Sequence, residues 1–134
     1  MKSMLNPYLS FKGKTREAME FYKSVFGGEL TITTFADQQV PNAPADGVMH
    51  AQLAVDGKPI LMGSDGMDSK ELQGFSLSLS GEAGDELRDY FEKLSERGTI
   101  TKPLEKESWG DEFGMVVDKF GIMWMVNIST PRAA

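Results

Sequence analysis

The chain has 134 residues, enough for one domain with a real core, so neither a disulfide nor a metal staple is demanded. It contains no cysteine, which excludes a disulfide framework, thiolate metal sites and thiol nucleophiles, and agrees with a reducing compartment. A formal charge of −6, spread rather than blocked, argues against nucleic acid, since phosphate binding needs clustered Lys and Arg.

In chain order, the first expected element is a short extended run from Pro7 to Phe11. No signal-peptide-like apolar stretch surrounds it, and no segment reaches membrane-span length, so a cytoplasmic protein without membrane contact is expected. An amphipathic helix follows, with Ala18, Phe21, Tyr22 and Val25 at helical spacing and Gly27-Gly28 as its stop. Three strands are then expected: Leu30 to Phe35, Val48 to Val55 and Pro59 to Gly63. The segment Asp37 to Gly47, rich in Pro, Ala and Asp, reads as a mobile loop.

The second half repeats this order. Phe75 to Ser80 is a strand, and Leu87, Tyr90, Phe91 and Leu94 form a helical stripe that ends at Gly98. Asp89 and Lys93 make an i,i+4 pair on its wet face. The two stripes superimpose residue for residue. Strands at Thr99 to Leu104, Phe113 to Val117 and Ile122 to Ile128 close the repeat. In each half the last two strands are joined by a tight Asp turn, Val55-Asp56-Gly57 and Val117-Asp118-Lys119.

Alternation assigns the faces. Phe75, Leu77 and Leu79 oppose Ser76, Ser78 and Ser80; Met49, Ala51, Leu53 and Val55 oppose His50, Gln52 and Ala54. One face of each sheet is therefore buried and the other meets solvent or a wet cavity. Two such units curled together would place their polar faces around a shared hollow. The last strand, Ile122 to Ile128, is apolar on both faces and is expected to be covered on both sides, by a second subunit, a pocket wall or simple central burial.

These features resemble the PhnB-like branch of the vicinal oxygen chelate superfamily, which includes glyoxalases, bleomycin-resistance proteins and dioxygenases. The resemblance spans nearly the whole chain. It is carried by Asn6-Pro7-Tyr8-Leu9-Ser10-Phe11, by Ala18 through Gly28, by Met49-His50-Ala51 and by Leu61-Met62-Gly63-Ser64-Asp65. Trp109-Gly110 and Asp118-Lys119-Phe120-Gly121 leading into Trp124-Met125-Val126-Asn127 complete it. It implies an α+β fold of two βαβββ modules forming a curved, cavity-bearing mixed sheet. Residues 1–134 would make one such domain, with module one at about 4–66 and module two at about 73–130. It also implies a homodimer.

Metal-dependent members place one His, Glu or Gln ligand on the first and last strand of each module. Carried onto this chain, those positions fall near Asn6, near Leu61 or Met62, at Ser76 and at Met125. None offers a carboxylate or imidazole, so no metal and no cofactor is expected. Some relatives are described as demethylubiquinone methyltransferases. This chain shows no Gly-x-Gly-x-x-Gly after a strand, no phosphate-cradling Gly-Lys-Ser/Thr loop and no Gly-x-Ser-x-Gly elbow.

The expected function is binding of a small, partly apolar organic molecule in a metal-free cavity walled by His50, Gln52, Ser76, Trp109 and Met125. His50, the only histidine, is either a base or ligand, or a hydrogen-bonded strand residue. Trp109 either walls a pocket or packs a sheet edge. Glu105, Glu107, Asp111 and Glu112 read first as a solvated hairpin end. The alternative is a metal-dependent lyase or dioxygenase-type enzyme with a displaced site built from His50 and nearby carboxylates. A sequestering or resistance-type binder is a third possibility.

Overall fold

A computed structural model of the chain describes residues 2–65 and 74–130. It divides into two compact units, Met1–Glu71 and Leu72–Ala134. The outermost residues of the expected modules, Gly66 and Gln73, lie outside the described residues.

Module one runs β1 (Tyr8–Ser10), α1 (Thr15–Phe26), β2 (Glu29–Thr34), β3 (Val48–Val55) and β4 (Lys58–Ser64). Module two runs β5 (Leu77–Gly81), α2 (Gly84–Leu94), β6 (Thr99–Lys106), β7 (Glu112–Val117) and β8 (Met123–Ile128). Each module holds a four-stranded mixed sheet, ordered β1-β4-β3-β2 in one and β5-β8-β7-β6 in the other. The first and last strands of each module are parallel neighbours, and the rest pair antiparallel. The duplication therefore extends from the hydrophobic pattern to the strand topology.

The helices form where the stripes predict and bury those stripes. On α1, Ala18, Met19, Phe21, Tyr22 and Val25 are buried, and the helix packs on β3, β2 and β4. On α2, Leu87, Phe91 and Leu94 are buried against β8, β5 and β7, while Tyr90 stays half-exposed. A glycine after each helix lets the returning chain come close to the sheet. A Cβ at Gly28 would lie 2.1 Å from the Ala54 carbonyl oxygen, and one at Gly98 would lie 2.5 Å from that of Val117. Any side chain at either position would force helix and sheet apart.

The two Asp turns differ in build. Asp56 and Gly57 both have positive φ, 52° and 77°, the signature of a two-residue I′ hairpin. The β7–β8 connection is longer: Asp118 N–H donates to the Ile122 carbonyl, Gly121 N–H to that of Asp118, and Gly121 takes a φ of 86°. Prolines sit where the ladder tolerates them. Pro103 lies in β6, an edge strand, inside the register shift between Lys102 and Glu105. Pro59 faces Ala54 at the bulge that follows Leu53.

Three expectations are refined. The first strand of module two starts at Leu77, so Ser76 precedes it and Phe75 is exposed. The segment 37–47 is a run of hydrogen-bonded turns, closed by Phe35 N–H to the Gly47 carbonyl at 3.0 Å and Ala36 N–H to that of Ala45 at 3.1 Å. In β8, Trp124, Val126 and Ile128 are buried, but Met123, Met125 and Asn127 on the other face are only half-buried. The strand is thus covered fully on its helix side alone.

Candidate functional site

The faces turned away from the helices carry the polar and sulfur side chains. In module one, Ala51 and Leu53 point to the core, so their neighbours His50 and Gln52 share the opposite face. Register then builds a row across the sheet: Tyr8 pairs with Met62, Met62 with Gln52, and Gln52 with Thr31. Tyr8 Oη lies 2.8 Å from His50 Nδ1, and their ring centroids are 5.5 Å apart. His50 and Gln52 are therefore brought together, with Tyr8 as a partner that sequence reasoning missed. The signal existed: Tyr8 has the strand phase that faces its sheet partners on the polar side. Only the parallel β1–β4 register shows that it reaches His50.

In module two the equivalent face is softer. Ser76 Oγ–H donates to Met125 Sδ at 3.0 Å, and Met115 stands opposite Met125 on β7. Trp109 lies in the β6–β7 connection, 60% exposed, with its ring edge-on to Phe113 at 6.1 Å. Phe113 pairs with Asn127, one step along the same face from Met125. Ser76 and Met125 thus touch, whereas Trp109 stands at the hairpin tip. Neither of the cavities described next is lined by any of the five expected residues.

One cavity of about 770 Å³ lies in module one between α1 and the 35–47 turns, lined by Arg16, Glu17, Glu20, Phe35 and Pro44 among others. Another of about 490 Å³ lies in module two, lined by Asp85, Arg88, Lys106, Glu112, Ser129 and Thr130.

The acidic residues around Trp109 have local partners. Lys102 pairs with Glu107 and, at 3.4 Å, with Glu105, and the hydrogen bond to Glu107 foremost raises its ammonium pKa. Arg88 on α2 pairs with Glu112. Asp111 accepts hydrogen bonds from Asn127 Nδ2 at 3.0 Å and from Thr130 N–H at 3.2 Å. They hold the hairpin and the α2–β7 contact in place.

Two further carboxylates are structural clamps. Asp118 is 3% exposed and accepts from the N–H groups of Phe120 and Ile122 and from Trp124 Nε1 at 2.8 Å. It satisfies the indole that buries β8. Asp65, at the end of β4, accepts from Gly13 and Thr15 N–H at 3.0 Å and from Val48 N–H at 2.9 Å. Burial pushes the Asp65 carboxyl up, but hydrogen bonds from Thr15, Val48 and Gly13 outweigh it and hold the pKa below the ordinary aspartate range. The tripeptide Gly13-Lys14-Thr15 has part of a phosphate-loop spelling, yet Tyr8 stands where its first glycine belongs. Its amides already serve Asp65.

The family's metal positions can now be tested on chemistry. Leu61 is buried on the helix side, so Met62 is the β4 residue on the open face, with Tyr8 beside it. Asn6 lies two residues before β1. Asn6 and Met62 in module one offer an amide and a thioether, and Ser76 and Met125 in module two a hydroxyl and a thioether. That set does not suit a divalent ion that prefers carboxylate and imidazole. Among the described residues, no three His, Cys, Asp or Glu side chains gather into a group able to hold a metal.

A family model described as 3-demethylubiquinone-9 3-methyltransferase matches residues 3–127. The chain belongs to this family. The Escherichia coli (strain K12) protein YjdN is 32% identical over 139 residues, covering 92% of this chain and 94% of that protein. The crystal structure of PA1353 from Pseudomonas aeruginosa superimposes with a TM-score of 0.85 at 35% identity, covering 97% of this chain and 100% of that one. The PhnB protein of Bacillus cereus gives 0.73 at 26% identity, with 95% and 100% covered. A glyoxalase-related enzyme from Fulvimarina pelagi shares the fold, with a TM-score of 0.63 at 17% identity over 100% of this chain and 94% of that one. The chain is thus similar to the PhnB protein over nearly its whole length and shares its fold with the glyoxalase-related enzyme. No described helix is long and apolar enough to cross a membrane.

Proposed function

We propose that the two modules make one vicinal oxygen chelate domain that binds a small, partly apolar organic molecule without a metal ion. The observation that carries this is the pair Met62 and Met125. Each occupies the last strand of its module on the face away from the helix, with hydroxyl, phenol or amide neighbours: Tyr8 and Gln52 beside one, Ser76 beside the other. Thioethers make adaptable apolar contacts, and the neighbouring polar groups set orientation. His50, Gln52, Ser76, Trp109 and Met125 are the proposed ligand contacts, and the proposed state is a cytoplasmic homodimer. The exposed apolar side chains Met4, Leu5 and Phe75 favour such a partner.

The alternative, a metal-dependent lyase or dioxygenase-type enzyme using His50 and nearby carboxylates, has weaker support. The contact found for the imidazole is a phenol, and the acidic residues near Trp109 are engaged with Lys102, Arg88, Asn127 and Thr130. Methyl transfer, the activity in the family description, would need a methyl-donor site. Neither sheet is a doubly wound parallel one with a Gly-rich βα turn. A site for such a donor would have to be built differently.

Elemental analysis of purified protein, paired with thermal stabilisation across a panel of aryl ketones and carboxylates, tests the reading. The expected result is no stoichiometric divalent ion and a raised melting temperature with at least one compound, because a ligand that prefers the folded state stabilises it. One tightly held divalent ion per chain overturns it.

A further inference from the structure

The open face of module one holds two titratable aromatic side chains in direct contact, and their geometry specifies what a ligand must offer. Tyr8 Oη and His50 Nδ1 are 2.8 Å apart, with the ring planes inclined at 39°. The contact spans β4, because Tyr8 lies on β1 and His50 on β3. A phenol is a good donor and a poor acceptor, since its oxygen lone pair is partly withdrawn into the ring. With a neutral imidazole, the Tyr8 O–H therefore donates to Nδ1, and the ring proton must sit on Nε2.

We propose that Tyr8 is a positioning residue that holds His50 in the Nε2–H tautomer. This N–H and the Gln52 amide, on the same strand face, then form a donor pair for a carbonyl or carboxylate oxygen. This rests on the small-molecule reading above and names the ligand class for the module-one face: an aryl ketone or aryl carboxylate. Three features fit that class. Met62 pairs with both Tyr8 and Gln52, so a soft apolar surface lies between the polar groups. Thr31 extends the row with another neutral hydroxyl. Tyr8, Gln52, Met62 and Thr31 carry no fixed charge, so the row lacks the cations that a phosphorylated or polyanionic compound would require. A donor pair selects well, because an analogue without the oxygen leaves both donors unmet.

The chain has a single histidine, so long-range proton–nitrogen spectra of the full chain read one imidazole. At a pH where the ring is neutral, Nδ1 is expected to resonate as a bare nitrogen and Nε2 as a protonated one. Acetophenone and benzoate are the probes; each is expected to shift His50 Nε2 and the Gln52 side-chain amide. Tyr8→Phe keeps the ring and removes only the hydroxyl. It is expected to let the Nδ1–H tautomer grow in and to weaken probe binding about tenfold, the effect of losing one well-placed hydrogen bond. Tyr8 is 41% exposed, so the variant should fold. A wild-type Nδ1–H tautomer overturns the inference. So do His50 signals that stay still while a probe raises the melting temperature, a result that leaves the parent reading standing. Neither shift nor stabilisation with any probe overturns both.

Discussion

The two modules share topology but not stringency. Module one seals its helix: Met19 and Tyr22 are fully buried and Phe21 is 8% exposed. In module two, Tyr90, which takes the place of Phe21 in the stripe, is half-exposed and donates its hydroxyl to Glu86 at 3.0 Å. Both use a carboxylate as a clamp, but at different points. Asp65 ties the start of α1 to the start of β3, while Asp118 ties a hairpin to the indole of its own strand. The open faces diverge further, one with a phenol, an imidazole and an amide, the other with methionines and an ion-paired rim. A duplicated frame tolerates such divergence because helix packing and strand order depend on one face of each element and leave the other free to change.

The sharpest way to break the comparison is a pair of matched truncations. Phe21→Ala should cost about 3–5 kcal/mol, the range for emptying a buried aromatic site, whereas Tyr90→Ala should cost about 1 kcal/mol. Denaturant titration of both variants measures this, and equal losses would mean that the helices are sealed alike. Next, Asp118→Ala removes the buried carboxylate that accepts from three donors and should cost about 3 kcal/mol. Retained near-ultraviolet signal from Trp124 with unchanged stability would refute the clamp.

The smallest expected effect concerns pH. Asp65 has a folded-state pKa lowered from the ordinary 3.8. Its stabilising contribution is therefore fully present above that value and is lost as pH falls through the lower folded value. The stability gap between the wild type and Asp65→Asn should narrow only in that acidic window. A gap that is flat through it would show that the carboxylate is not the clamp in solution.

The fold was legible because its signals are local. Ala18, Phe21, Tyr22 and Val25 announce a helix by spacing alone, and Asp56-Gly57 announces a hairpin by the positive φ it needs. Strand starts were less so: Phe75 has the composition of a strand residue, but pairing with β8 begins only at Leu77. Of the candidate site, the faces of His50 and Gln52 followed from period two, whereas Met125, on a strand apolar on both faces, was placed only by the family resemblance. Whether Leu61 or Met62 faced outward stayed open until the β4 register put Leu61 in the core. Tyr8 escaped notice because its partner lies 42 residues away.

Sequence alone determined the element order and the repeat, since each is written in neighbouring residues or in residue type. Tertiary structure alone decided that Tyr8 meets His50, that Asp65 occupies the amides at the start of α1, and that Trp109 stands exposed. Those contacts join residues far apart in the chain. Register and the reach of each side chain set them, and neither can be read from a local pattern.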